Sequence, residues 1–205
     1  MKITKAILTT SKELSLTIAL QFWLEEIESI PNYKIYAGTR IWEDEEEEQI
    51  VLAYTNEDKK TIDETLQYLF ETYVIFKFIS VWIVSASDNI DIASWDVVLP
   101  NTFIATDSEN PVFLDYAIGE NYDFTNFGLV LSGICITWKR LEKKYDDEYI
   151  SDIQDNDAFY VLEKIKEHDA LDKAVVIKWV FDSENTDTKI EIVLKNTISI
   201  LDFIL

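Results

Sequence analysis

Three apolar runs constrain the fold of this chain more than any other feature. They are Phe76–Ala86, Phe127–Thr137 and Ala174–Asp182. A near-continuous apolar run of this length is typical of a strand that is covered on both faces, and it is shorter than the roughly 18 residues that cross a bilayer. Amphipathic stretches at helical spacing separate the runs. The sequence therefore predicts an α/β fold, a three-layer α/β/α sandwich around a central mixed sheet.

The remaining periodicity predicts four helices and further strands. Ser11 is expected to be the N-cap of the first helix. The sequence has no recognisable linker and no internal repeat, so one domain over residues 1–205 is expected. The predicted helices are Ser11–Ser29, Asp58–Tyr73, Asp157–His168 and Asp187–Phe203, and the further strands are Lys5–Thr10, Tyr33–Thr39, Gln49–Tyr54 and one that begins with Trp95–Pro100.

The acidic composition excludes several classes of partner. The formal net charge is −21. A surface of this charge repels phosphate backbones and anionic lipid, so neither nucleic acid nor a membrane is an expected partner. Met1–Thr10 indicates a first strand rather than a signal peptide, and the expected location is the cytoplasm.

Scarce residue types exclude several kinds of site. The chain has one Cys, one His and four Gly. Thiolate zinc clusters need more than one Cys, and multi-histidine metal sites need more than one His. The single His168 is expected near the exposed end of a helix, a position that does not favour a Ser-His-Asp triad. Phosphate-binding turns need clustered glycines, which are absent. We therefore expect no metal and no cofactor, and any chemistry must depend on carboxylates, hydroxyls or a lysine.

An acidic run, Glu43–Glu48, contains much of the negative charge. Two interpretations are open. The run is either the solvated tip of the hairpin between Tyr33–Thr39 and Gln49–Tyr54, or a docking patch for a basic partner or a cation. Under the second interpretation the protein is an acidic interaction module.

The succession of short segments resembles that of methylthioadenosine/adenosylhomocysteine nucleosidases, in the nucleoside phosphorylase superfamily. No single segment is specific, and the resemblance lies in their order over nearly the whole chain. The resembling segments are Lys12–Glu13, Tyr33–Gly38, Val81–Asp88, Ser94–Val98, Gly128–Gly133, Asp155–Ala158 and Lys178–Asp182. At three of these positions the family has a recognisable motif. Val81–Asp88 corresponds to its Gly-Ser/Thr-Ala-Gly-Gly loop, Asp155–Ala158 to Glu-Met-Glu-Ala, and Lys178–Asp182 to Arg-x-Ile-Ser-Asp.

The resemblance implies two catalytic residues. Asp182 is the counterpart of the acid that protonates the departing purine, without which adenine leaves a sugar poorly. Glu13 is the nearest counterpart of the carboxylate that activates the attacking water, with Leu14 as the alternative in register. The structural alternatives are a turn or helix cap for Asp182 and a favourable interaction with the helix dipole for Glu13.

The resemblance also implies substrate-binding residues. Asp157 would accept hydrogen bonds from the ribose hydroxyls, a task suited to a carboxylate. Asp155, in the same motif, and Ser85, at a strand end, would contribute to the same pocket. Asp157 is equally suited to be a helix N-cap, and Ser85 to be a loop serine.

Departures from the family motif indicate an eroded site. Val84–Asp88 places side chains where the family has bare backbone, and Ile134 replaces an aspartate. Arg40 and Arg140 are the only arginines, so hydrolysis is favoured over phosphorolysis. The expectation is a nucleosidase-like protein that binds a purine nucleoside or adenine with weak or no catalysis. The alternative within the family is an active N-ribosyl hydrolase of an adenine nucleoside.

A homodimer or larger homo-oligomer is also expected. Aromatic residues make up 13% of the chain, more than one small core needs. An exposed apolar patch on so charged a protein would indicate an interface.

Overall fold

The computed structural model describes residues 4–41, 47–56, 58–86, 97–105, 112–113, 130–137, 153–155, 157–180 and 187–205. The strands are β1 (Thr4–Thr9), β2 (Glu25–Ile30), β3 (Tyr33–Ile41), β4 (Glu47–Thr55), β5 (Ile75–Ala86), β6 (Val97–Ala105), β7 (Val112–Phe113), β8 (Val130–Thr137), β9 (Ile153–Asp155) and β10 (Ala174–Val180). The helices are α1 (Lys12–Gln21), α2 (Lys59–Thr72), α3 (Ala158–Glu167) and α4 (Asp187–Ile204).

All the strands belong to one mixed sheet. β1 lies between β4 and β5 and is parallel to both, and β3 and β2 continue the sheet beyond β4 to its edge. β5 is also parallel to β10, which pairs antiparallel with β6. Pairing continues from β6 through β8 and β9 back to the end of β5. β5, β10, β6, β8 and β9 therefore close a ring, from which β1, β4, β3 and β2 extend.

Helices cover both faces of the sheet. One face packs against α2 and α3, which bury Leu66 and Leu162 in a shared core cluster. The opposite face packs against α1 and α4, which bury Leu14 and Ile200 in a second cluster. The predicted three-layer α/β/α sandwich with a mixed sheet is therefore confirmed. None of the helices in the described ranges is long and apolar enough to cross a membrane.

The first helix is shorter than the sequence predicts. Ser11 caps α1 as expected, accepting a hydrogen bond from the Leu14 N–H at 3.2 Å. However, α1 ends at Gln21, and the predicted remainder, to Ser29, turns into the edge strand β2. Trp23 has a φ of 55°, which takes the backbone into the left-handed conformation that ends a helix. The prediction of a helix over Ser11–Ser29 is therefore wrong in its second half.

The other predicted elements are close to those observed. α2, α3 and α4 begin and end within one residue of the predicted bounds, and β3 and β4 form the predicted hairpin. The short strands β7 and β9 were not predicted. The tip of the acidic run, residues 43–46, lies outside the described residues, whereas Glu47 and Glu48 begin β4. The Glu48 carboxylate pairs with the Lys5 ammonium at 2.7 Å.

Candidate functional site

A charged residue lies in the middle of the apolar strand β10. Lys178 is fully buried, and its neighbours along the strand, Ile177 and Trp179, are buried apolar residues. Side chains alternate along a strand, so Lys178 lies on the same face as Val176 and Val180, the face that α2 and α3 cover. The ammonium is thereby placed inside an apolar core, where a charge needs close partners.

Asp155 supplies the closest charge partner. Its Oδ2 lies 2.6 Å from the Lys178 Nζ, and both side chains are almost completely buried. The same carboxylate accepts hydrogen bonds from the backbone N–H groups of Asp157 and Ala158 at 3.2–3.3 Å. These donors lie at the start of α3, where unpaired N–H groups and the helix dipole favour a negative charge. Asp155 therefore joins β10 to the first turn of α3.

Asp157 is the second carboxylate beside the ammonium. It occupies the N-cap position of α3 and is 4% exposed. Its side chain makes no capping hydrogen bond to the described first turn of the helix. Its Oδ1 lies 4.0 Å from the Lys178 Nζ. The N-cap interpretation of this side chain is therefore not supported, because Asp155 accepts the hydrogen bonds that a cap would accept.

Trp82 lies on the other side of the ammonium. It is the register partner of Lys178 across the parallel β5–β10 pair. The Lys178 Nζ lies 4.7 Å from the centroid of the indole ring, within the range of a cation–π interaction. The Trp82 indole N–H is buried and has no hydrogen-bond partner among the described residues. Lys178, Asp155, Asp157 and Trp82 are called the Lys178 cluster below.

Ser85 lies near the end of β5, as predicted. Its backbone pairs with Gln154 of β9, the residue before Asp155. The topology therefore brings the predicted substrate-binding positions Ser85, Asp155 and Asp157 to one end of the β5–β9 pair.

Of the two predicted catalytic residues, the structure describes only Glu13, which does not contact this group. Glu13 is exposed in the first turn of α1, the helix that covers the opposite face of the sheet. No hydrogen bond or ion pair between described residues joins its carboxylate to the Lys178 cluster. Asp182 lies outside the described residues, two positions after the end of β10.

Lys178 itself was not singled out as a site residue, although the sequence contains a signal. It is the only charged residue in the run Ala174–Val180. A single lysine within a buried apolar run requires a partner, and the acidic pair Asp155 and Asp157 is the partner that the fold supplies. The sequence does not specify that β9 pairs with β5. This pairing brings Asp155, at the end of β9, close to Lys178 on β10, which also pairs with β5.

The Lys178 cluster combines one ammonium with two carboxylates, so its formal charge is −1. A buried carboxylate accepts strong hydrogen bonds from hydroxyl groups, whereas an excess of negative charge repels anions. The arrangement is therefore suited to a neutral polyhydroxylated ligand rather than to phosphate. In the part of the chain that the structure describes, no three His, Cys, Asp or Glu side chains are grouped to hold a metal ion.

No protein-family model and no curated protein sequence matches the chain. Solved structures match nearly all of it. The Campylobacter jejuni 5′-methylthioadenosine/S-adenosyl homocysteine nucleosidase aligns with a TM-score of 0.76 at 13% identity, covering 98% of this chain and 96% of that chain. The futalosine hydrolase of Helicobacter pylori strain 26695 aligns with a TM-score of 0.77 at 11% identity, covering 100% and 96%.

A third match contains a ligand. It is a mutant of the Helicobacter pylori nucleosidase with 5′-methylthioadenosine in its active site, and it aligns with a TM-score of 0.73 at 13% identity, covering 98% of this chain and 99% of that chain. The chain therefore has the fold of these nucleosidases, and the resemblance seen in the sequence is confirmed at the level of the fold.

Proposed function

We propose that this protein is a nucleosidase-like domain that binds a purine nucleoside or adenine at the Lys178 cluster, with weak or no catalysis. The observation that carries the proposal is the pair of buried carboxylates, Asp155 and Asp157, beside the buried Lys178 ammonium at the start of α3. A carboxylate placed in this way can accept hydrogen bonds from a ribose diol. The ligand of the Helicobacter pylori nucleosidase, 5′-methylthioadenosine, is a purine nucleoside.

Ligand binding is tested with adenosine, 2′-deoxyadenosine and adenine. We expect adenosine to raise the melting temperature, because a ligand that binds only the folded state stabilises it. 2′-Deoxyadenosine should bind more weakly, because one hydroxyl that the carboxylate would accept is missing. Asp157→Asn should remove this difference, with Asp63→Asn on α2 as a control. No stabilisation by any of the three compounds would contradict the proposal.

Catalysis is expected to be absent or far below ordinary enzyme rates. The segment Val84–Asp88 lacks the glycines that hold the ligand in the resembling family. A misplacement of the ligand by about 1 Å can lower the rate on the order of 10²-fold. Adenine release from methylthioadenosine or adenosylhomocysteine measures this directly. Robust release that disappears in Asp182→Asn would contradict weak catalysis and support the active hydrolase.

One observation favours the active hydrolase as a second candidate. The ion pair between Lys178 and Asp155 is completely buried, and keeping such a pair costs several kcal/mol per ion in desolvation. An intact charged cluster is what a working site retains. The third candidate, an acidic interaction module, has less support, because Glu48 of the acidic run pairs with Lys5 within the same chain.

We also propose that the protein is a single cytoplasmic domain that associates with a second copy of itself. A cleft of about 440 Å³, lined by both apolar and polar side chains, lies between the end of α1 and β3. Trp23 and Ile41 line it and are 88% and 68% exposed. Among the described lining residues the charged ones are Arg40 and Asp202, which form an ion pair at 3.3 Å. Two strongly acidic molecules can approach most closely where exposed apolar side chains lie beside a charge-balanced ion pair.

A further inference from the structure

Lys178 is an unusual choice of residue if it only stabilises the fold. All the remaining residues of β10 are buried and apolar. A buried ion pair is weak evidence for stability, because well-packed apolar residues of similar volume often serve as well or better. Leu or Met would fill the position without a desolvation cost. Packing of the core therefore does not explain why position 178 has a charged residue.

The contacts of the ammonium indicate what it controls. Its short bond goes to Asp155, whose oxygens also accept the N–H groups at the start of α3. Asp157 is two residues further on, and its carboxylate lies 4.0 Å from the same ammonium. Without the positive charge, two buried carboxylates would face each other, and one of them would take up a proton or turn away.

Trp82 adds a second feature to the surroundings of the ammonium. Its ring packs on the ammonium, and its indole N–H is buried without a hydrogen-bond partner among the described residues. The indole N–H of Trp179, on the opposite face of the sheet, is also buried without a partner among the described residues, so the Trp82 donor does not by itself indicate a ligand, although it can donate to a ligand oxygen. The donor belongs to the residue that faces Lys178 across the β5–β10 pair.

We infer that Lys178 is the positioning residue of the site: its ammonium holds Asp155 on the first turn of α3 and so fixes where the Asp157 carboxylate meets a ribose diol. This inference rests on the proposed function. Lys178 acts through the two aspartates and need not touch the ligand. The sugar of the ligand, not its base, is the part that depends on Lys178.

The test compares Lys178→Met with the double variant Lys178→Met/Asp155→Asn. Met fills a similar volume without charge, and the second substitution restores the formal charge of −1. We expect adenosine to bind to Lys178→Met at least about tenfold more weakly than to the wild type. This loss of affinity corresponds to the loss of one hydrogen bond to a charged group. Adenine, which has no sugar, should bind within about twofold of its wild-type affinity.

The double variant separates positioning from stability. We expect it to regain part of the melting temperature that Lys178→Met loses, because one of the two buried carboxylates that face the lost ammonium is now neutral. We do not expect it to regain adenosine binding or the preference for adenosine over 2′-deoxyadenosine. Recovery of both would show that Lys178 acts only on stability and would overturn the inference, as would unchanged adenosine binding in Lys178→Met.

Amide hydrogen exchange tests the first half of the inference without a ligand. The Asp157 and Ala158 amides, which donate to Asp155, should exchange faster in Lys178→Met by a larger factor than the interior amides of α3. Equal factors would overturn the positioning role. Faster local exchange in a protein that binds neither adenosine nor adenine would contradict the proposed function and would also overturn the role of Lys178 in ligand binding.

Discussion

Asp155 and Asp157 are only two positions apart, yet they differ in how much of the structure depends on them. Asp155 bonds both Lys178 and the first N–H groups of α3. Asp155→Asn should therefore leave a buried ammonium without its partner and lower the free energy of unfolding by about 3 to 5 kcal/mol. Asp157→Asn should lower the free energy of unfolding by clearly less than Asp155→Asn does. Urea denaturation of both variants measures the difference, and equal losses would contradict this division of roles.

The same two residues show how far a site can be predicted from sequence. The acidic pair was identified from its motif, and it does lie beside the end of β5. A helix cap was one of two interpretations of Asp157, because that residue precedes the helical periodicity. The carboxylate that caps α3 belongs to Asp155, because the strand β9 ends there and directs it onto both α3 and β10. Such a choice depends on strand pairing, which a local motif does not contain.

At the scale of elements, the end of α1 is where sequence periodicity misleads. Leu20, Leu24 and Ile27 continue a helical spacing past Gln21, so the pattern predicts a longer helix. The chain instead turns at Trp23, and Leu24 is buried while Ile27 is exposed on the edge strand β2. An exposed edge strand shows no clear alternation of burial, so β2 has no strong signal. The central strands, buried on both faces, were predicted because burial dictates their composition.

Gly38 of β3 lies against this turn. A Cβ at position 38 would lie 2.8 Å from the Leu24 Cδ2 and 3.1 Å from the Trp23 carbonyl oxygen. Gly38→Ala should therefore destabilise the protein by about 1 to 3 kcal/mol through overpacking. In a Leu24→Ala background the same substitution should cost less, because the nearest atom is gone. Thermal unfolding of the four proteins forms a double-mutant cycle, and a coupling energy of zero would contradict the close approach.

A tyrosine cluster joins α2 to the hairpin. The ring centroids of Tyr33 and Tyr73 lie 6.2 and 6.4 Å from that of Tyr68. Burial, followed by a hydrogen bond with Glu28, raises the pKa of Tyr68 well above its usual value. Above a pH of about 10 the unfolded chain therefore releases this proton first, and stability falls as the pH rises. Tyr68→Phe should reduce the slope of melting temperature against pH between about 9 and 11. An unchanged slope would contradict the assignment.

At the scale of the whole molecule, charge dominates the response to salt. With a net charge of −21, the acidic groups repel one another in the folded state. Raising the ionic strength from about 0.01 to about 0.15 M shortens the range of this repulsion from about 30 to about 8 Å. The melting temperature should therefore rise over this interval. A flat or falling melting temperature would contradict this account of the surface.

Self-association through the cleft can be tested with two serine substitutions. Ile41→Ser removes an exposed apolar side chain from the cleft, whereas Phe76→Ser removes one of similar exposure elsewhere. Light scattering at micromolar concentrations should show at least twice the mass of one chain for the wild type and for Phe76→Ser, and a shift towards the single-chain mass for Ile41→Ser. A wild type that is monomeric throughout would contradict the proposed dimer, and equal effects of both substitutions would place its interface elsewhere.

The ring of pairings that begins and ends on β5 sets the order in which the protein can be completed during synthesis. β5 is finished at residue 86, but its partner β10 begins only at residue 174. At about 5 to 20 residues per second, the ribosome needs on the order of 5 to 20 s to supply the missing strand. During that interval one edge of an apolar strand has no native partner. Lys178 arrives with the strand that closes the ring, so the growing chain acquires its charged cluster only as this edge becomes protected.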